Sequence, residues 1–356
     1  MIIFILPSFS GGGAERVTLN LLTGLKKQGF SVGILVFKKE GPLLSMVPNQ
    51  VPIYDLHKST LSSSFFPLIA KIKQLEPQIV FSSLGYVNVA LLLARWSLPK
   101  KTKIWVREAN LPSISLLNNS HKIVMIFLYK KLYRKADKLI CSSFRMKEEF
   151  VSKFSVSDEI IEVIPNPIDV NKLRFSALPK ERFDNGGVCY VASGRLTYQK
   201  GFERLLDWFN LLGNKKSTLV ILGDGKLKEQ LIIISESLGI QDRVKFLGFC
   251  NNPWKWYAGA DVFLLPSYWE GMPNVALEAL ACGIPVIATA ESGGINEVKN
   301  QAKSGALTVV KDEVDFIKAM NEAIPNNTSK LCNSLLPSSY ELDSVLHEIK
   351  SLLNDQ

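Results

Sequence analysis

The sequence predicts an α/β protein of two domains, and three observations carry that prediction. Short apolar runs alternate with helical stretches along nearly the whole chain, as strands of a parallel sheet buried on both faces do. The length, 356 residues, is long for one core and suits two domains of this class. The alternation lapses once, after Pro165-Asn166-Pro167-Ile168-Asp169, and resumes past Gly186-Gly187, which marks a boundary with a linker of roughly 20 residues.

Composition narrows the class. Hydrophobic content of 47% with 21% charged residues describes a soluble globular protein. The opening MIIFIL has six apolar residues before Pro7-Ser8 and no basic flank, so it reads as a first strand rather than a signal peptide. No run approaches the roughly 18 apolar residues of a membrane span. Cys141, Cys189, Cys250, Cys282 and Cys332 are scattered without CxxC pairing, which gives neither a disulfide framework nor a zinc site and fits a reducing cytoplasm. Charge is lopsided: residues 1–170 hold 22 of the 42 Lys+Arg but only 12 of the 33 Asp+Glu. A basic first half suggests an anionic partner such as a membrane surface, a phosphate-bearing lipid or nucleic acid.

Taken in order, Ile2 to Leu6 is a strand that runs into Ser10-Gly11-Gly12-Gly13-Ala14-Glu15-Arg16. A helix follows with Val17, Leu21, Leu22 and Leu25 on one face, then the strand Val32 to Phe37. The glycines permit close approach of a ligand to the backbone, or only a flexible turn. Arg16 stands where a dinucleotide fingerprint needs its third glycine, which counts against a nicotinamide enzyme. The strand Lys103 to Val106 ends in Arg107-Glu108-Ala109-Asn110, polar residues at the strand end where open α/β sheets collect ligands, although caps look the same. Ser120 to Lys138 is expected to be one helix with an apolar-aromatic front and a basic back half. It suits an anionic bilayer, a lipid diphosphate or plain solvent.

The second half restarts with strand Val188 to Ala192, then Arg195 and Lys200 where a strand gives way to helix Phe202 to Leu212. Two cations there can neutralise a diphosphate, or serve as surface charge. Strands Leu219–Leu222 and Val244–Gly248 follow, and a short helix, Trp254 to Ala260, precedes the most informative stretch. Asp261 to Leu265 is an apolar strand, and Tyr268 to Asn274 is a loop in which Asn274 is the expected N-cap. Val275 to Cys282 is a helix stopped by Gly283 and Pro285, and Val286 to Thr289 is the next strand. A helix N-terminus at a strand's carboxyl end suits phosphate. Glu270 and Glu278 bracket it, and carboxylates are better acceptors for sugar hydroxyls than ligands for phosphate. Phosphate with hydroxyls points to a nucleotide sugar, although an ordinary turn with two solvated glutamates has the same sequence.

No HExxH, GxSxG, Walker A or clustered Asp-x-Asp occurs, so metalloprotease, triad hydrolase, P-loop and metal-dependent transfer readings lack support. The three histidines (His57, His121, His347) give no metal site.

Four motifs, in order across nearly the whole chain, together carry a resemblance: GGGAERV, IPNPID at the domain junction, GRLTYQKG, and EGMPNVALE with its two glutamates. The chain resembles the family-4, or group-1, glycosyltransferases of GT-B fold. That implies two Rossmann-like α/β domains facing each other across a cleft: 1–167 for the acceptor, 168–339 for the nucleotide sugar, and a helix 340–356 packing back on the first. It also implies retaining transfer without a metal or other cofactor, the nucleoside-diphosphate sugar being a co-substrate.

By the resemblance Arg195 and Lys200 hold the diphosphate, Glu278 accepts from the ribose hydroxyls, and Glu270 contacts the donor sugar. The loop of Gly271, Met272, Pro273, Asn274 and Val275 lines the phosphates, its residues other than Pro273 supplying backbone N–H groups; Gly12 and Gly13 belong to the loop that approaches them, and Phe249 lies by the base. Glu15 or Arg16 faces the acceptor. Many members place a histidine where this chain has Arg107 to Asn110, so Glu108 and Asn110 are the acceptor-side candidates. The expected enzyme is a cytoplasmic hexosyl- or N-acetylhexosaminyltransferase, peripheral at the membrane through residues 120–138. It would move a sugar, from UDP in the first instance, to a glycan on a lipid carrier in surface polysaccharide synthesis, with no nucleic-acid partner. The rival reading is a nucleotide-sugar 2-epimerase of the same fold.

Overall fold

The structure, a computed structural model, describes residues 1–117, 121–326, 328 and 330–354. The chain divides into two compact units, Met1–Pro167 with Leu342–Gln356, and Ile168–Glu341. Unit 1 runs β1 (Ile2–Leu6), α1 (Gly13–Lys27), β2 (Val32–Val36), β3 (Ile53–Asp55), α2 (Leu61–Leu75), β4 (Ile79–Ser82), α3 (Gly85–Leu93) and β5 (Lys103–Arg107). It continues through α4 (Pro112–Ser115), α5 (Lys122–Leu132), β6 (Lys138–Cys141), α6 (Phe144–Phe154) and β7 (Ile161–Val163). Unit 2 runs α7 (Val170–Ser176), β8 (Cys189–Ser193), α8 (Phe202–Asn210), β9 (Thr218–Leu222), α9 (Lys228–Ser237), β10 (Val244–Gly248) and α10 (Trp254–Gly259). Then come β11 (Val262–Leu265), α11 (Asn274–Ala281), β12 (Val286–Thr289), α12 (Ile295–Gln301), β13 (Leu307–Val310) and α13 (Glu313–Asn321). A final helix, α14 (Leu342–Asn354), belongs to unit 1.

Every strand pairing is parallel, and among the described residues the sheets have seven and six strands, ordered β3-β2-β1-β4-β5-β6-β7 and β10-β9-β8-β11-β12-β13. Helices cover both faces, so inner strands such as VGILV and TLVIL are buried at every position. Two apolar clusters result in each unit, one per sheet face. In both sheets the order reverses at one place, between β1 and β4 and between β8 and β11. In open α/β sheets such a reversal point is where ligands collect.

Four local readings differ from the sequence expectation. The expected linker contains α7, which Asp169 caps by accepting from the Lys172 N–H at 3.1 Å. With Leu173 its one buried residue, the segment has too little apolar periodicity to be read. The helix expected over Ser120–Lys138 is α5 followed by a 3-10 turn at Tyr133–Lys135; Lys138 already opens β6, and Ser120 lies outside the described residues. The last helix begins at Leu342 rather than Tyr340, after a 3-10 turn at Ser338–Tyr340. It buries Val345, Leu346 and Ile349, and Leu346 packs so closely on Gly24 of α1 that a Cβ there would lie 2.4 Å from its methyl carbon. Finally, Asn274 is the first residue of α11 and Pro273 occupies the cap position.

Candidate active site

In unit 2 the two loops at the sheet's reversal point face each other. The loop after β8, residues 194–201, begins at Gly194 (φ +157°) and ends at Gly201 (φ +64°), a left-handed conformation that suits glycine. A Cβ at Gly201 would lie 2.2 Å from the Pro266 carbonyl oxygen, so the lack of a side chain lets the loop after β11 come close. The two loops are then tied together. The Tyr268 N–H donates to the Gln199 carbonyl at 2.8 Å, and the Gln199 side-chain amide donates to the Trp269 carbonyl at 2.9 Å. Tyr198 stacks on Tyr268 with ring centres 4.7 Å apart, and the Arg204 guanidinium lies 3.9 Å from the Tyr268 ring centre while its Nε donates to the Pro266 carbonyl at 2.8 Å.

This bracing brings Lys200 and Glu270 together, Nζ to Oε1, at 2.5 Å. Glu270 is 5% exposed and also accepts from the Ser267 hydroxyl at 2.7 Å. The carboxylate thus has a cation and a hydroxyl at one oxygen. Beneath the loop, Thr289 at the end of β12 donates to the Ser267 carbonyl at 2.7 Å. Gly293 (φ +67°) runs against the loop backbone, where a Cβ would lie 2.1 Å from the Glu270 carbonyl oxygen.

The N-terminus of α11 follows directly. No side chain caps it, since Pro273 has none to offer; the Pro273 carbonyl accepts from the Ala276 and Leu277 N–H groups at 3.0 and 3.3 Å, and the helix's positive dipole end lies at the loop. Glu278, one turn in, is 7% exposed and accepts from the Trp254 indole N–H of α10 at 3.0 Å. Arg195, at the end of β8, is exposed. Gly271 and Met272 are buried in the loop, while Val275 is half-buried at the helix start. The structure therefore gathers Arg195, Lys200, Glu270, Gly271, Met272, Pro273, Asn274, Val275 and Glu278 around one reversal point. Phe249 is 55% exposed after β10, two strands away at the sheet edge.

Unit 1 repeats the arrangement with different chemistry. Gly12 caps α1 without a side chain, and a Cβ there would lie 2.2 Å from a Glu15 carboxylate oxygen. Glu15 accepts from the Ser10 hydroxyl at 2.9 Å, and Thr18 donates to Ser83 at 2.8 Å, joining α1 to the loop after β4. Gly13 and Arg16 lie in the same first turn of α1. Asn110 is half-buried beyond β5.

Glu108 is enclosed. It is 4% exposed, and its Oε1 accepts from Asn88 at 2.9 Å, from the Tyr129 hydroxyl at 3.3 Å and from the Tyr133 hydroxyl. Burial pushes its carboxyl up to about 7, against the hydrogen bonds and Arg107, which pull it down. Arg107, equally buried, donates to the Asn166 side chain, and burial lowers its guanidinium to about 10.

Several residues of this constellation were not read from the sequence. Ser267 stands three residues before Glu270, close enough for its hydroxyl to reach the carboxylate, which was a usable signal. Arg204, Trp254 and Thr289 gave none, because their roles depend on contacts 24 to 85 residues apart.

The sequence profile described as Glycosyl transferases group 1 matches residues 175–341, and that of Glycosyltransferase Family 4 matches residues 11–172. A Campylobacter jejuni protein is 30% identical over 335 residues, 90% of this chain and 89% of its own. It is named N-acetylgalactosamine-N,N'-diacetylbacillosaminyl-diphospho-undecaprenol 4-alpha-N-acetylgalactosaminyltransferase. The chain belongs to the family-4, group-1 glycosyltransferases.

It is accordingly a glycosyltransferase. Another member, the Escherichia coli UDP-Gal:alpha-D-GlcNAc-diphosphoundecaprenol alpha-1,3-galactosyltransferase, is 26% identical over 385 residues, 99% of this chain and 95% of its own. Among solved structures, Anabaena HepE in complex with UDP and glucose superposes with a TM-score of 0.77 at 20% identity, covering 100% of this chain and 99% of that one. The two parallel-sheet units are those of the GT-B fold. Among the described residues no helix is long and apolar enough to cross a membrane.

Proposed function

We propose that the protein is a retaining, metal-independent glycosyltransferase that moves a hexosyl or N-acetylhexosaminyl group from a UDP-sugar to a glycan on a lipid diphosphate. The observation that carries the reading is the pairing of Lys200 with Glu270 beside the uncapped N-terminus of α11. An arriving diphosphate competes for the Lys200 ammonium and meets Arg195 and the α11 N–H groups. Glu270, relieved of its cation, accepts from the donor sugar's hydroxyls. As the bond from the anomeric carbon to the diphosphate breaks, the electrons stay on the departing phosphate. Cations and a helix terminus aimed there stabilise that state more than the bound donor. Glu278, steadied by Trp254, receives the ribose hydroxyls, and Phe249 lies by the base.

The donor and acceptor classes rest on relatives. The E. coli galactosyltransferase is named for UDP-galactose, and both it and the Campylobacter enzyme are named for diphosphoundecaprenol-linked acceptors and for α linkages. UDP-galactose carries its sugar in the α configuration, so an α product from such a donor is a retained one. Unit 1 takes the acceptor, with Glu15, Arg16 and Asn110 reaching it. Glu108, enclosed by its three donors, fixes the end of β5 behind them. Acceptors of this kind put the enzyme at the cytoplasmic membrane surface as a peripheral protein, held there by residues 120–138. The relatives named above are transferases and lend no support to an epimerase.

The test is incubation with UDP-galactose, UDP-N-acetylgalactosamine and UDP-N-acetylglucosamine and a diphosphoundecaprenol-linked sugar, reading UDP release and the anomeric configuration of the product. Release with an α product is expected. A β product would overturn retention, and no acceptor-dependent release with any donor would overturn the transfer reading.

A further inference from the structure

We infer that Arg204 is a positioning residue for sugar transfer: from α8 it grips three consecutive residues of the loop after β11 and so fixes where Glu270 presents its carboxylate. The inference deepens the donor-site reading above and rests on it.

Pro266, Ser267 and Tyr268 leave β11 just ahead of Glu270, and Arg204 reaches each of them. Its Nε donates to the Pro266 carbonyl at 2.8 Å. Its guanidinium lies 3.9 Å from the Tyr268 ring centre and 5.0 Å from that of Trp208, one turn further along α8. Trp208 is itself buried against Phe316 of α13, ring centres 4.6 Å apart, which anchors the near end of the grip. The third contact is relayed. Nη2 donates to the Thr289 hydroxyl at 3.4 Å, and that hydroxyl donates on to the Ser267 carbonyl at 2.7 Å. The Ser292 hydroxyl lies 3.0 Å from that of Thr289, and Ser267, Thr289 and Ser292 are all buried. The Ser267 hydroxyl then meets Glu270 Oε1 at 2.7 Å.

The guanidinium is not held there by charge. Among the described residues it makes no ion pair. Burial pulls its pKa below the ordinary arginine value, with Tyr268, Glu291 and Tyr198 pulling the other way. A half-buried cation without a carboxylate in contact is a cost to the fold. What only arginine offers in return is a planar fork that stacks on a ring and donates in two directions at once. The residues from Gly271 onward are held differently, by the Gly294 N–H on the Gly271 carbonyl at 2.8 Å and by α11 itself. Loosening Arg204 therefore displaces Glu270 more than the phosphate-facing backbone.

Transfer from UDP-galactose, UDP-N-acetylgalactosamine and UDP-N-acetylglucosamine to a diphosphoundecaprenol-linked sugar, run beside UDP calorimetry on the full chain, tests this. Arg204→Met should lower kcat roughly 10- to 100-fold. Its UDP affinity should fall by less than about threefold, the split expected when an interaction of the transition state is lost. Arg204→Lys should be nearly as slow, since an ammonium keeps the charge but neither stacks flat nor donates along both directions. On a Glu270→Ala background, Arg204→Met should cost at most about twofold more, because the two losses share one route. Native kcat in Arg204→Met, full rate in Arg204→Lys, or losses that multiply in the double variant would each overturn the inference. So would UDP affinity falling in parallel with kcat, the mark of a role in the fold alone. Native kcat in Glu270→Ala, or no transfer by the native chain, would overturn the donor-site reading as well. A slow Glu270→Ala beside a native-rate Arg204→Met would overturn this inference and leave that reading standing.

Discussion

Lys200 and Glu270, contributed by loops 70 residues apart, meet at 2.5 Å where the strand order of the second sheet reverses. The pair holds a cation and a carboxylate in one small volume, and the proposed function gives each a different task toward a nucleotide sugar. Its members can be separated by substitution. Lys200→Met strands a buried carboxylate and should cost about 1.5–3 kcal/mol. Adding Glu270→Gln should restore most of that stability in urea titrations without restoring donor affinity. Parallel recovery of both would mean that Lys200 serves the fold alone.

Under the proposed ribose role, Glu278→Ala should weaken UDP binding about tenfold or more, a charge-assisted hydrogen bond contributing about 1.5–3 kcal/mol. It also removes the partner of the Trp254 indole, so the emission of Trp254 should shift. Calorimetry with UDP reads the first effect, and unchanged affinity would contradict the ribose role.

Gly293→Ala should damage the site from behind. Its φ of +67° disfavours a side chain, and the added Cβ would meet the Glu270 carbonyl oxygen at 2.1 Å. A stability loss of order 1–3 kcal/mol is expected, together with a fall in donor affinity as the Glu270 loop shifts. A stable variant that binds UDP normally would show that this loop does not set the site.

Glu108 makes stability pH-dependent. Its carboxyl is at about 7 in the folded chain against an ordinary 4.5. The folded state therefore binds the proton more tightly, so the favourable contribution is complete below about pH 4.5 and is lost as pH rises through 7. At most about 3 kcal/mol is at stake. Urea titrations at pH 5 and pH 8 should show a decline that Glu108→Gln flattens; equal slopes in the two proteins would contradict it.

What could be read from the sequence follows from the range of the interactions involved. Parallel strands are apolar at every position and helices carry their own period, so the alternation and the strand–loop–helix unit from Asp261 to Thr289 were legible. The segment Val170–Ser176 was not, because one buried leucine makes no pattern. Asn274 was misread as a cap because side-chain preference pointed there, whereas the backbone places Pro273 in that position, where no side chain caps the helix. Position after β5 made Glu108 an acceptor-side candidate, whereas its enclosure by Asn88, Tyr129 and Tyr133 depends on residues distant in the chain and was not legible. Lys200 and Glu270 were each marked as functional, yet their contact is a product of sheet topology alone.

The central claim is that the β8/β11 reversal point is the donor site, and hydrogen exchange of the full chain with and without UDP tests it most directly. UDP should slow exchange in residues 194–201 and 267–278. Protection confined to other segments, or none at saturating UDP, would contradict the account.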